Sequence, residues 1–359
     1  MSTLENENDN YYQADDFVIV PKLDAHLHYD VHDDAILKYA ATINMKLLSI
    51  NVDIGFPINK QLNISRLLKK KHPDLFNFLG TFDPSKFTNN NFTGKTIEQI
   101  KKCMDAGAKG IKIWKNIGMV LKDNNGKYVM ADDPAFESLF EYLQKEGITL
   151  LAHLGDPRNC WLPFDQMTMD SDTRYFQMCP QYHMYQHPEA PTYEQQIDVR
   201  DRLLEQYPQL NFVGAHLGSL EWNIDEIADR FEQYPQFSID ISGRMGHLHL
   251  QTLQNREKVR CFFMRYQDRI MYGSDCFFSI WGLRTKLSYY LAHGRFIKNF
   301  CHSLHQKWEK DWLFLATNTM VEIEKINQPD APDTMEGLQL PKHVMDKIFC
   351  KNACRIYHL

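Results

Sequence analysis

No stretch of this chain approaches the run of ~18 apolar residues that a membrane-crossing helix requires. Lysine and arginine are scattered and the net charge is −6, so no basic patch marks a nucleic-acid surface. None of the eight cysteines, at 103, 160, 179, 261, 276, 301, 350 and 354, falls into a CxxC pair. A chain of 359 residues does not need disulfides to hold a core together, so the cysteines read as reduced thiols of a cytoplasmic protein. No glycine-rich nucleotide turn follows the first apolar run, which disfavours a dinucleotide fold, and no low-complexity linker divides the chain. Residues 1–16 are polar, acidic and Asn-rich and lack the basic and apolar regions of a secretory leader. They are expected to be a disordered tail, leaving 17–359 as one domain.

What is present is alternation. Apolar or β-branched runs at 17–26, 46–54, 76–82, 110–114, 148–153, 211–216, 236–241 and 269–274 read as strands. Amphipathic stretches at 33–44, 59–71, 96–106, 133–146, 193–207, 224–234 and 258–266 read as helices between them. Asp133-Pro134 has the form of a cap followed by Pro at the first turn. Eight strand–helix units predict an α/β chain folded as a (β/α)8 barrel, with a doubly wound open sheet as the alternative. Residues 279–325 form an aromatic-rich helical region, and a final helix at 341–349 packs on the barrel. The connection at 154–192 is long, aromatic and contains five prolines, which predicts a lid or binding loop.

The polar residues that end these strands carry the chemistry. The first strand ends in His26 and His28, and residues two apart on a strand share a face. The fifth ends in His153, the sixth in His216 and the eighth in Asp275. One histidine at a strand end is ordinary. Four, with an aspartate, on one barrel rim would converge on a metal site suited to zinc or another first-row divalent ion. Lys112 lies within the fourth strand and is the candidate to pair, as a cation, with a carboxylate of the substrate or of the site, with Lys115 as the second choice. Lys115 has the opposite parity, so in a regular strand only one of the two faces inward. Arg244 could clamp a substrate carboxylate. Arg158 and Trp161, early in the long loop, are candidates to line the pocket. Asp24 is expected to support the ligands from behind. His247-Leu248-His249 reads as a loop feature of the rim.

At this point the chain resembles the amidohydrolase superfamily, in its "amidohydrolase 2" branch. The resemblance rests on Asp24-Ala25-His26-Leu27-His28, Gly110-Ile111-Lys112, Ala152-His153-Leu154-Gly155-Asp156-Pro157, Gly214-Ala215-His216-Leu217-Gly218, Tyr272-Gly273-Ser274-Asp275 and the closing Asn352-Ala353-Cys354-Arg355-Ile356-Tyr357. It implies one divalent metal, zinc first and manganese, cobalt or iron as substitutes, held by His26, His28, His153 and Asp275. It implies Asp275 as the proton-transfer group, and His216 either as a ligand of a second metal or, more often in this branch, as a catalytic histidine that polarises the scissile carbonyl or stabilises the oxyanion. A second metal bridged by a carboxylated Lys112 is disfavoured. The expected activity is a metal-dependent hydrolase of a small, carboxylate-bearing amide or lactone, using metal-activated water. A metal-dependent non-oxidative decarboxylase of an aromatic or unsaturated acid is the alternative, and a non-catalytic barrel scaffold the third reading. The expected partner is a small molecule rather than a nucleic acid or a membrane, with homo-oligomerisation left open.

Overall fold

The computed structural model describes residues 10–89, 91–279 and 286–359, without the side chains of 286–296. Residues 1–9 of the expected tail and 280–285 of the aromatic region lie outside this description. Strands β1 (Lys22–Tyr29), β2 (Met45–Ile50), β3 (Phe76–Thr81), β4 (Ile111–Ile113), β5 (Leu150–Ala152), β6 (Phe212–Gly214), β7 (Phe237–Asp240) and β8 (Ile270–Met271) each pair parallel with the next. A two-residue strand β9 (Phe277–Phe278) follows β8 and pairs with β1. Between them Ala25 N–H donates to Tyr272 O, Asp275 N–H to His26 O at 2.7 Å and His28 N–H to Cys276 O. The chain of the eighth strand therefore returns to the first, as in a (β/α)8 barrel.

The apolar run at 17–20 is not strand. Ala14–Val18 is a 3-10 turn. It buries Phe17, and the Tyr12 hydroxyl donates to Asp346, so the end of the expected tail is fastened to the domain. The helix expected at 258–266 is longer, Met245–Arg265, with a break at Asn255 (φ −160°, ψ 91°). His247 and His249 consequently sit in its first turn rather than in a loop.

Burial divides each strand by parity. Leu23, Leu48, Leu79, Leu151, Val213 and Met271 fill the barrel's interior together with Ala353 and Tyr357 of the last helix. Leu47, Phe76, Ile111, Leu150, Phe212, Ile239 and Ile270 face the helices. The amino-terminal end of the barrel is thus closed by the chain's own C-terminus, and the polar rim lies at the other end.

Candidate metal centre

Parity alone would not bring the rim residues together. In β1, Leu23 and Ala25 face inward, yet Leu27 and Tyr29 face outward. An irregularity of register between Asp24 and Leu27 switches the face, so that His26 and His28 follow Ala25 to the inside. In β6 the inward residues are Val213 and Ala215, and His216 is turned inward by a left-handed backbone (φ 58°). Asp275 keeps the inward parity of Met271 and Gly273, also with φ 58°. A non-glycine residue held there stores strain, which the surrounding contacts must over-determine.

The hydrogen bonds fix the imidazole tautomers. His28 Nδ1 lies 2.8 Å from Ile50 O and His216 Nδ1 2.8 Å from Ser242 O; a carbonyl only accepts, so both nitrogens carry the proton. His26 Nδ1 donates to Asp240 Oδ2 at 2.7 Å. His153 Nε2 donates to Asp156 Oδ1 at 3.3 Å. The opposite nitrogens are therefore lone pairs. His26 Nε2, His28 Nε2 and His153 Nδ1 are buried without a hydrogen-bond partner. Two of them face one carboxylate oxygen: Asp275 Oδ1 is 3.4 Å from His28 Nε2 and 3.7 Å from His26 Nε2. Lone pairs and a carboxylate crowded this closely repel one another unless a cation sits among them, so this donor set fits a divalent metal.

His153 is not within the compact His26–His28–Asp275 group, but its ring lies 4.3 Å from that of His216 and lines the same cavity. In a second grouping, His26, His216 and Asp240, the Nδ1 atoms of both rings are already committed to hydrogen bonds. Burial, reinforced by Lys112, Lys115 and Arg244 at His153 and by the His153 ring at His216, holds both well below the usual histidine range. Burial likewise lowers His26, partly offset by Asp240. Lowered in this way, the rings favour the neutral form that a ligand must have.

Asp24 stands behind the centre. Its Oδ1 accepts from Ser274 N–H (2.9 Å) and His26 N–H (3.2 Å), and its Oδ2 from Trp308 Nε1–H (2.8 Å). Burial raises it to about 6. Two supporting carboxylates escaped the sequence reading. Asp240 holds His26, and its Oδ1 accepts from His216 N–H and Ser242 Oγ–H. The signal was available: between outward Ile239 and Ile241, Asp240 has inward parity. Asp156 accepts from Lys115 Nζ, His153 Nε2 and Arg244 Nη2.

Lys112 is fully buried with its Nζ unpartnered, and burial lowers it to about 8. Lys115 is buried as well. β4 stops at Ile113 and the chain turns (Lys115 φ −59°, ψ −7°), so the expected exclusion of one lysine by parity does not hold. A cavity of about 750 Å³ opens above Asp275, His153 and His216. Its walls include Trp114, Tyr175, Tyr182 and Phe277, with Lys115 and Arg244 at one side. Arg158 and Trp161 do not line it. Arg158 is exposed and stacks on Trp222 at 4.6 Å. Trp161 donates to Pro191 O and packs on Tyr193. The loop's own aromatics that reach the cavity, Tyr175 and Tyr182, come from later along it.

That loop is an anchored wall. Met119, Cys160, Met167, Phe176 and Met184 give it a small core of its own. Asp172 accepts from Asn159 Nδ2 (2.7 Å) and His247 Nε2 (3.0 Å), and Asp170 N–H donates to Lys325 O. His249 packs against Phe314, and burial lowers it to about 3. Neither His247 nor His249 belongs to a metal grouping among the described residues.

A family model described as Amidohydrolase matches residues 66–359. No curated protein matches the chain. An uncharacterized TIM-barrel protein from Bordetella bronchiseptica superposes with a TM-score of 0.51 at 13% identity, covering 94% of this chain and 99% of that one. A 2,6-dihydroxybenzoate decarboxylase from Rhizobium superposes with a TM-score of 0.50 at 15% identity, covering 94% and 98%. At these identities the two likenesses speak for the fold.

Proposed function

The chain belongs to the amidohydrolase family, and from that premise we propose that it is a metal-dependent hydrolase of a small carboxylate-bearing amide or lactone. The observation that carries the reading is the meeting of Asp275 Oδ1 with the unprotonated Nε2 atoms of His26 and His28. A divalent ion held by these three residues with His153, zinc first among them, would acidify a bound water toward neutral pH and polarise a carbonyl. Asp275 Oδ2, on the His216 side at 4.0 Å from Nδ1, is free to take a proton from the attacking water and return it to the leaving group. His216 has its proton on Nδ1, directed at Ser242 O, so its Nε2 accepts protons. In the neutral ring that nitrogen has no N–H to stabilise an oxyanion; carrying a proton, it would polarise a substrate carbonyl. Arg244, whose buried Nε has no partner, and Lys115 supply the positive edge that receives a substrate carboxylate.

The test is hydrolysis of a panel of such amides and lactones by the metal-loaded protein and by Asp275→Asn. Turnover is expected to fall about a thousandfold in the variant, the range of a lost acid–base group; undiminished turnover contradicts the scheme. The aromatic walls favour one further reading, decarboxylation of a planar acid, in which Asp275 would deliver the proton to carbon. Release of carbon dioxide without consumption of water distinguishes it.

A further inference from the structure

The last turns of the chain carry a feature the rim chemistry does not use. Cys350 Sγ and Cys354 Sγ lie 3.9 Å apart. Both are partly exposed, unlike the buried Cys103 and Cys160. They straddle a change of helix type, from a π-helical turn (Lys347–Lys351) to an α-helical one (Asn352–Tyr357). Cα atoms four residues apart on a helix are about 6 Å apart, within the span a disulfide accepts. Each sulfur needs to move by only about 1 Å to reach bonding distance. The pair shares a proton. Either sulfur can donate; with the Cys350 S–H turned toward it and Lys46 nearby, Cys354 is lowered to about 6. The same hydrogen bond, with burial, raises Cys350. One sulfur is thereby a nucleophile and its neighbour a protonated thiol within reach.

We propose that Cys350 and Cys354 are a redox-active dithiol that closes to a disulfide by exchange with a low-molecular-weight disulfide. The Cys354 thiolate attacks one sulfur of R–S–S–R, forming a mixed disulfide and releasing R–S⁻. The Cys350 sulfur then attacks the Cys354 sulfur, releasing the second R–S⁻, which takes up the proton Cys350 loses. The protein gives up two electrons and the reagent is reduced to two thiols, so no other oxidant is needed. The segment is tied to the strand that leads to Asp275. Asn352 Nδ2 donates to Ile270 O and Gln267 O, and Tyr272 N–H donates to Ile348 O.

The test treats the folded full-length protein with oxidised glutathione, quenches with acid and maps tryptic peptides by mass. Lys351 lies between the cysteines, so a bridge links the peptides 348–351 and 352–355. The wild type is expected to yield that linked pair at least about tenfold faster than the exposed Cys261 is modified, following the thiolate populations. Cys350→Ser should accumulate glutathione on Cys354, because nothing resolves it. Cys354→Ser should leave Cys350 a thiol on the same timescale. The proposal is overturned if the wild type stops at the mixed disulfide, if Cys354 reacts no faster than Cys261, or if the preference persists in denaturant.

Discussion

At the scale of single residues, the centre is organised by what holds the imidazoles as much as by the imidazoles themselves. His26 presents a lone pair because Asp240 takes its Nδ1 proton. Asp240→Asn removes that charge and lets the ring choose either tautomer. Metal affinity, measured by chelator competition, is expected to fall about 10–100-fold, as for other lost supports of a ligand histidine. Unchanged affinity would show that backbone geometry alone orients His26. The histidines at the strand ends and Asp275 were legible in the sequence because apolar runs that stop at an ionisable residue are conspicuous. Asp240 sits inside its run, and Asp156 lies beyond the end of β5, where alternation no longer assigns a side chain to a face. The pocket positions of Arg158 and Trp161 could not be read from order along the chain, because the 3-10 turn Arg158–Trp161 directs them away from the cavity.

At the scale of elements, the alternation of strands and helices was legible throughout, since each helix buries one face on the sheet. Boundaries failed where local geometry overrides pattern: the bulge in β1, the turn after Ile113, and the helix that begins at Met245 among glycine and histidine. One junction between elements has a pH signature. Asp34, preceding helix Ala35–Thr42, accepts from Lys38 (2.9 Å), and from Lys71 (2.5 Å) and His72 (2.9 Å) at the end of helix Ile58–Lys71. The hydrogen bond from Lys71, followed by those from Lys38 and His72, holds its carboxyl well below the usual range, against a smaller desolvation. The unfolded chain therefore takes up this proton at higher pH than the folded one. The junction's contribution is present above about pH 4 and is lost as the pH falls. Because Lys38 and Lys71 are largely exposed, it amounts to no more than about 1 kcal/mol. Denaturant unfolding between pH 5 and 3, in units of about one, should show a shallower acid slope for Asp34→Asn than for the wild type. Equal slopes would discount the junction.

At the scale of the whole molecule, one end of the barrel is sealed and the other carries the polar rim. Tyr357 is 1% exposed and fills the interior with Leu151, Val213 and Met271. Tyr357→Ala should cost about 3 kcal/mol by denaturant unfolding, as for other large buried aromatics; a loss below about 1 kcal/mol would mean the plug is dispensable. The barrel, the family and the convergence of the rim residues form one account, in which a cation belongs among His26, His28, His153 and Asp275. The most direct test is metal content by plasma mass spectrometry on the purified protein and on His28→Ala. The account predicts about one divalent ion per chain, lost in the variant. Absence of bound metal after incubation with zinc and with manganese, or binding that His28→Ala leaves unchanged, would contradict it.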